Sequence, residues 1–266
     1  MLWLITVALL AQDPVDATIT FDSSLELETV VRDGKDESTR LLTLTRKEKF
    51  RQRKVDAKSV KIDCLSSTVQ KSGSDILIEE KPTPLAGQSF VANRTDAGWV
   101  ASDPDGGAPP AEGQTLGAWN GIGALLPPNA EVKAGDKWTV EGKDLLALIC
   151  PTSIRDAVGK LECSCESVEG GKAGVVFSGQ ITGKGKDDVM QAQITLAIKT
   201  GRLTYDLGKK APVSLLFSGS FESNMDIVDV IRKPGTGTNI GNQEERRKLG
   251  EISIKSRKLE MSLSFE

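Results

Sequence analysis

The sequence predicts a mainly β protein: one long, strongly curved antiparallel sheet, a barrel or half-barrel, with a short covering helix and a loop insertion. Apolar and polar residues alternate almost throughout the chain after Pro14, as they do in strands with one buried face. Many of these runs exceed the usual length of about six residues, and several change parity midway, which indicates β-bulges. Long strands with bulges twist and coil, so a curved sheet is favoured over a flat one.

The first half of the chain contains the predicted opening hairpins. Alternation over residues 15–31 is followed by the turn signal Asp33-Gly34-Lys35-Asp36 and by a partner strand at roughly 39–53. The further strands predicted in this half lie at 58–71, 76–80, 89–93 and 99–102.

A helix and loop insertion is predicted at about 103–130. Proline, glycine and aspartate dominate residues 103–113, which is the composition of a loop. Apolar residues then recur at three- and four-residue spacing over 115–126, which predicts a short helix that covers one end of the sheet. Two prolines end this segment, and the tight turn before Trp138 starts the next strand.

The second half has the clearer strand pattern. Alternating runs lie at 161–166, 175–182, 190–198, 203–207, 213–227 and 252–265. Glu169-Gly170-Gly171-Lys172 and Lys199-Thr200-Gly201-Arg202 are predicted turns between these strands. No internal repeat is evident, so residues 12–266 are predicted to form a single β-rich domain.

Composition excludes several kinds of chemistry. The chain of 266 residues has a net charge of −3, whereas dedicated nucleic-acid binders are usually basic, so we expect no nucleic-acid partner. It contains no histidine, which excludes Ser-His-Asp and Cys-His catalytic sites and histidine-ligated zinc. We therefore expect no catalytic residues, no metal and no cofactor.

The first eleven residues are an apolar run that ends in the small residue Ala11. A membrane-spanning helix needs about 20 residues, so this run is better interpreted as a signal peptide, with a buried first strand as the alternative. No cysteine follows it to carry a lipid anchor. We expect a secreted or periplasmic protein that is not an integral membrane protein.

One motif carries a family resemblance. Leu126 and Pro127, the run Val132-Lys133-Ala134-Gly135-Asp136-Lys137-Trp138, and the later Gly183-Lys184-Gly185 and Gly201-Arg202-Leu203 resemble a family of secreted bacterial proteins of unknown function. The layout is also similar to periplasmic lipoprotein-carrier half-barrels, in which a curved sheet and a covering helix hold acyl chains. By architectural analogy alone, this similarity implies a hydrophobic ligand.

The cysteines leave two interpretations open. In an exported protein, Cys150 can form a disulfide with Cys163 or Cys165, closing a loop of about fifteen residues that would stabilise the fold by about 3 kcal/mol. Cys163 and Cys165 share one strand face, so a bond between these two is disfavoured. The alternative is that all four cysteines are buried thiols.

Two basic runs lie near the ends of the chain, at 46–54 and 246–258. If the first and last strands are neighbours, these residues form a positive rim that could meet anionic headgroups or polysaccharide. The alternative is a charged edge that resists aggregation. The residues assigned to this rim are Arg46, Lys49, Arg51, Arg53, Arg257 and Lys258.

The sequence thus predicts a non-enzymatic protein that binds a hydrophobic or amphipathic ligand on the concave face of its sheet. The alternative is a cell-envelope structural or protein-interaction module with a filled core and no ligand, whose partner is an envelope component. The candidate ligand-lining residues, taken from the best-patterned strands, are Phe177, Ile194, Leu196, Leu215, Phe217 and Phe221.

Overall fold

A computed structural model describes residues 14–33, 36–73, 76–95, 98–110, 113, 116–127, 132–142, 145–146, 154–186, 190–233 and 243–266. The predicted signal peptide and Cys150 lie outside these residues. Within the described part of the chain, no helix has the length and apolar character needed to cross a bilayer.

The described chain forms twelve strands and one 3-10 helix, Ala118–Leu125. The first six strands are β1 (Ala17–Asp33), β2 (Asp36–Lys54), β3 (Ser59–Gly73), β4 (Ile76–Pro82), β5 (Ser89–Thr95) and β6 (Gly98–Ser102). The last six are β7 (Lys137–Glu141), β8 (Ile154–Glu169), β9 (Lys172–Lys186), β10 (Met190–Asp206), β11 (Ala211–Lys233) and β12 (Gln243–Phe265).

All twelve strands belong to one antiparallel sheet, in the order β6-β5-β3-β2-β1-β12-β11-β10-β9-β8-β7, with β4 paired to the other end of β3. The predicted long antiparallel sheet with a short covering helix is confirmed. The first and last strands do pair, β1 with β12, but they do so in the middle of the sheet. Because β6 and β7 remain as separate edges, the sheet is open and the closed-barrel form of the prediction is wrong.

The helix packs against both edge strands of the open sheet, β6 and β7, and against β11. Its buried residues Trp119, Ile122 and Leu125 recur every third position, which matches the three residues per turn of a 3-10 helix and aligns them on one face. The Trp119 ring lies 5.2 Å from the ring of Phe50 on β2, and the Trp138 indole on β7 donates to the Leu125 carbonyl at 2.9 Å. The helix therefore holds the two edges in fixed positions.

The predicted turn at Lys199-Thr200-Gly201-Arg202 is wrong. These residues lie inside the continuous strand β10, where the pairing with β9 and β11 shifts between Ile198 and Gly201. A bulge inserts an extra residue and so mimics the parity break of a turn. The glycine is required for another reason: a Cβ at Gly201 would overlap the ring of Phe177.

The hydrophobic core lies on one face of the sheet and is filled. It joins residues of the strands to the buried residues of the helix and to Leu85, Leu145 and Leu146 in the connections. Most of the core side chains are almost fully buried, among them Phe50, Phe90 and Phe217. The other face carries the polar residues of the alternating pattern.

Candidate functional site

An open cleft of about 1630 Å³ lies on the polar face of the sheet. Its walls come from eight consecutive strands, from β2 through β1, β12, β11, β10, β9 and β8 to β7. Strands β2 and β7 both line it, although six strands lie between them in the sheet. We call it the polar cleft.

One cross-strand row of side chains runs the full width of the polar cleft; we call it the Leu216 row. In sheet order its members are Lys47, Asp22, Ser262, Leu216, Arg202, Val176, Ser164 and Lys137. Leu216 is 56% exposed. The row thus has an apolar centre, Leu216 and Val176 on either side of Arg202, and lysines at both ends.

A second row lies two residues along the strands, and we call it the Ser218 row. In sheet order its members are Thr45, Ser24, Glu260, Ser218, the bulge pair Lys199 and Thr200, Ser178, Glu162 and Thr139. Six of these side chains end in a hydroxyl group. Both bulge residues line the polar cleft, and the Thr200 and Ser218 hydroxyls are hydrogen-bonded at 2.8 Å.

The charges of the polar cleft are balanced. Its lining carries four carboxylates (Asp22, Glu162, Glu166 and Glu260) and four cations (Lys47, Lys137, Lys199 and Arg202). Arg202 pairs with Glu166 at 3.1 Å, and Glu260 pairs with Lys258 at 3.0 Å. Among the ion pairs of the described residues, none involves the three lysines of the lining. Those ammonium groups are therefore available to a ligand.

The predicted ligand-lining residues lie on the opposite, core face of the sheet. Phe177, Ile194, Leu196, Leu215 and Phe217 are at most 3% exposed and belong to the core, and Phe221 is partly buried against it. Only Phe177 and Phe217 also border the polar cleft. Phe177 and Phe217 belong to the core and lie behind the floor of the polar cleft. Direct ligand contact by the six predicted residues stays a prediction.

The six residues of the predicted basic rim are not brought together. Lys49 lies opposite Thr20 on β1, whereas Lys258 lies opposite Glu26, about 20 Å further along the strand. Arg53, Arg257 and Lys258 pair with Asp63, Glu28 and Glu260, and Arg46 pairs with Glu48 on the core face. Lys49 and Arg51 are exposed.

Arg46 and Glu48 are part of a polar cluster on the core face that the sequence did not reveal. Arg46 Nε and Glu48 Oε1 lie 2.9 Å apart, and Ser67 Oγ donates to the same oxygen at 2.6 Å. The Ser67 and Thr83 hydroxyls are 2.5 Å apart. The Arg46 guanidinium also lies 5.8 Å from the centre of the Phe21 ring. These partners compensate for the burial of the Glu48 carboxylate.

Cys64, Cys163 and Cys165 are buried, and no disulfide joins any two of these described cysteines. Burial raises the pKa of Cys163 to about 12 and, with a contribution from the Glu48 carboxylate, that of Cys64 to about 11. Burial also raises the pKa of Cys165. Such thiols are poor nucleophiles at neutral pH. Since Cys150 lies outside the described residues, the Cys150 disulfide stays a prediction.

The sequence did not predict the polar cleft, because its two rows join residues that are far apart in the sequence. One local signal was present: serines occupy polar positions of β11 and β12 where charged residues would be expected on a freely solvated face, for example Ser214, Ser218, Ser262 and Ser264.

No protein-family model and no curated protein matches this chain. Among solved structures, it is similar to lipovitellin in a structure concerned with lipid–protein interactions, at 8% identity and a TM-score of 0.45, over 96% of this chain and 25% of that chain. It thus spans about a quarter of the lipovitellin chain. It is also similar to an outer membrane channel from Pseudomonas putida F1, at 9% identity and a TM-score of 0.28, over 96% and 97% of the two chains. At such low identities and TM-scores, these similarities assign neither a family nor a function.

Proposed function

We propose that this protein is a secreted or periplasmic, non-enzymatic binding protein that holds an amphipathic ligand in the polar cleft. The observation that carries the proposal is the exposed Leu216 in the cleft, with Val176 two strands away across Arg202 and with hydroxyl and charged groups around them. An apolar patch within a polar surface matches a ligand that has both an apolar and a polar part.

The filled core supports this location of the ligand. A ligand on the core face would have to displace packed side chains such as Leu196, which is 0% exposed, and disrupting such packing costs about 2–5 kcal/mol per large side chain. The polar cleft requires no such displacement because it is already open.

A binding role without catalysis is supported by the chemistry of the cleft. The chain has no histidine to serve as a base. The Ser218 hydroxyl is hydrogen-bonded to Thr200, another hydroxyl, and not to a basic group that could activate it.

Fluorescence titration with 1-anilinonaphthalene-8-sulfonate, an amphipathic anion, tests the proposal. The wild-type protein should bind the dye, and Leu216→Ser should weaken binding about tenfold because it removes the apolar centre of the cleft. Leu249→Ser is the matched control, since Leu249 is 50% exposed but lies outside the cleft. Equal affinity of the wild type and Leu216→Ser would refute the proposal.

The second candidate is an envelope structural or protein-interaction module without a ligand. The filled core favours it, because a protein that carries a purely hydrophobic cargo needs an apolar cavity. Native mass spectrometry of protein purified from a periplasm, together with an absence of dye binding, would support this candidate if the protein carries no bound molecule.

A further inference from the structure

The bulge in β10 places two successive residues on the wall of the polar cleft. Ile198 and Gly201 both face the core, so the two residues between them, Lys199 and Thr200, both project to the cleft side. In a regular strand only one of two successive residues can do this. Bulges are frequent next to binding sites because they re-aim a side chain.

Hydroxyl groups surround this bulge on both neighbouring strands. Ser218 of β11 lies opposite Thr200, and the two hydroxyls are 2.8 Å apart. On the neighbouring strand β9, the single residue Ser178 lies opposite the two bulge residues Lys199 and Thr200. One lysine and three hydroxyl-bearing side chains thus occupy neighbouring positions of the sheet, and one hydroxyl of the Thr200–Ser218 pair donates to the other.

The charges around the bulge favour a small anion. Lys199 has no ion pair among the described residues, and Arg202 is held only by Glu166 in a pair that is 66% and 53% exposed. Exposed pairs of this kind contribute little, so the guanidinium can turn to an added anion at small cost.

Two carboxylates limit the size of that anion. Glu260 and Glu162 lie in the Ser218 row, each two strands from the bulge and so about 10 Å away. They would repel an extended polyanion such as a nucleic acid, but a single headgroup centred on Lys199 fits between them.

We propose that the Lys199–Thr200 bulge, together with Ser218 and Ser178, binds the oxyanion headgroup, phosphate or carboxylate, of a single-chain amphiphile. Its alkyl chain lies over Leu216 and Val176 in the adjacent row. This inference rests on the proposed function and adds the headgroup class and the residues that recognise it. Arg202, between Leu216 and Val176, contributes its charge to the headgroup and its methylene groups to the chain.

Isothermal titration calorimetry of the full chain tests the proposal. The ligands are decyl phosphate, decanoate, decyl maltoside and inorganic phosphate, and each amphiphile is kept below its critical micelle concentration. The wild type should bind decyl phosphate or decanoate about tenfold more tightly than the uncharged maltoside, because charge-assisted hydrogen bonds are the stronger ones. Inorganic phosphate alone should bind far more weakly, since it lacks the chain.

Lys199→Gln should abolish the preference for the anionic amphiphile and leave the affinity for decyl maltoside unchanged, whereas Lys199→Arg should retain the preference. Thr200→Val should weaken only the anionic ligands. Lys209→Gln, which changes an exposed lysine outside the cleft, is the control and should behave as the wild type.

Three outcomes would overturn the inference. If the wild type binds decyl phosphate and decyl maltoside with equal affinity while Leu216→Ser weakens the binding of both, the headgroup site is refuted and the proposed function stands. If inorganic phosphate binds as tightly as decyl phosphate, the bulge is a free-anion site. If no amphiphile binds, the proposed function fails and the headgroup site with it.

Discussion

The indole Nε1 of Trp119 on the 3-10 helix donates a hydrogen bond of 2.7 Å to the side-chain Oε1 of Gln52 on β2. Gln52 is 2% exposed, and its amide nitrogen donates to the Val15 carbonyl and to Asn120 Oδ1, each at 2.9 Å. The buried side-chain amide of Gln52 thus connects the 3-10 helix and the start of the described chain to strand β2.

Gln52→Ala should lower the free energy of unfolding by about 3 kcal/mol, because it leaves the Trp119 and Asn120 polar groups without their partner. Urea unfolding monitored by circular dichroism measures this loss. Gln180→Ala, at an exposed position on β9, is the control and should change stability by less than about 0.5 kcal/mol. Equal losses of unfolding free energy for the two substitutions would contradict this structural role of Gln52.

Gly201→Ala should destabilise the protein by about 2 kcal/mol, since its Cβ would overlap the Phe177 ring and force the core to shift. The cost should shrink when Phe177→Leu is also present, and a double-mutant cycle measures that coupling. Gly208→Ala, where an added Cβ meets only ordinary contacts, is the control. A zero coupling energy would show that the ring is not the obstacle.

Glu48→Ala should cost about 3 kcal/mol, because it removes the carboxylate that compensates the Arg46 guanidinium and the Ser67 hydroxyl on the core face. Replacing Arg46 and Glu48 together by leucine should restore much of this loss. Glu169→Ala, at the exposed end of β8, is the control for removal of a carboxylate. If the double variant is less stable than Glu48→Ala, the paired-charge explanation is incorrect.

Tyr205 should make the protein lose stability between about pH 10 and pH 12. Burial, with a contribution from Asp206, raises the pKa of this phenol from 10.0 to about 12, so above pH 10 the unfolded chain releases a proton that the folded chain retains. The stabilisation is complete below pH 10 and is lost as the pH rises through 12.

Because Tyr205 is the only tyrosine of the chain, tyrosinate absorbance reports its ionisation directly. Its hydroxyl is buried and has no hydrogen-bond partner among the residues that the structure describes, so Tyr205→Phe should stabilise the protein by about 1 kcal/mol at pH 7 and flatten the alkaline decline. A phenol that titrates near pH 10 while the protein is still folded would contradict this prediction.

The cysteines should be unreactive in the native protein. In a Cys150→Ser variant, Ellman's reagent at pH 8 should modify Cys64 and Cys163 only after denaturant is added, because both are buried and have raised pKa values. Rapid reaction of both thiols without denaturant would contradict their burial. Mass spectrometry of the unreduced wild type, after alkylation, tests the predicted Cys150 disulfide.

The resemblance to secreted proteins of unknown function, the signal peptide and the cellular location stay predictions. Amino-terminal sequencing of protein exported by a bacterial host would test cleavage after Ala11. An uncleaved product retained inside the cell would contradict the predicted export.

The strands and the faces of their side chains were predictable because they depend on local alternation. Leu161, Cys163 and Cys165 on β8 were assigned to one face, and all three are buried. The helix over 118–125 was predictable from apolar residues at three- and four-residue spacing. Where local signals coincide, as a bulge and a turn do at Lys199–Thr200, the sequence alone could not distinguish them.

By itself, then, the sequence determined that the chain is a long-stranded antiparallel sheet with one apolar face and no histidine chemistry. Only the tertiary structure decided that the apolar face is filled, that β1 pairs with both β2 and β12, and that the concavity lies on the polar face. The physical reason is the distance along the sequence over which each feature is determined. Alternation depends on neighbouring residues. Curvature, strand order and cross-strand rows depend on pairing between residues as distant in sequence as Asp22 and Ser262.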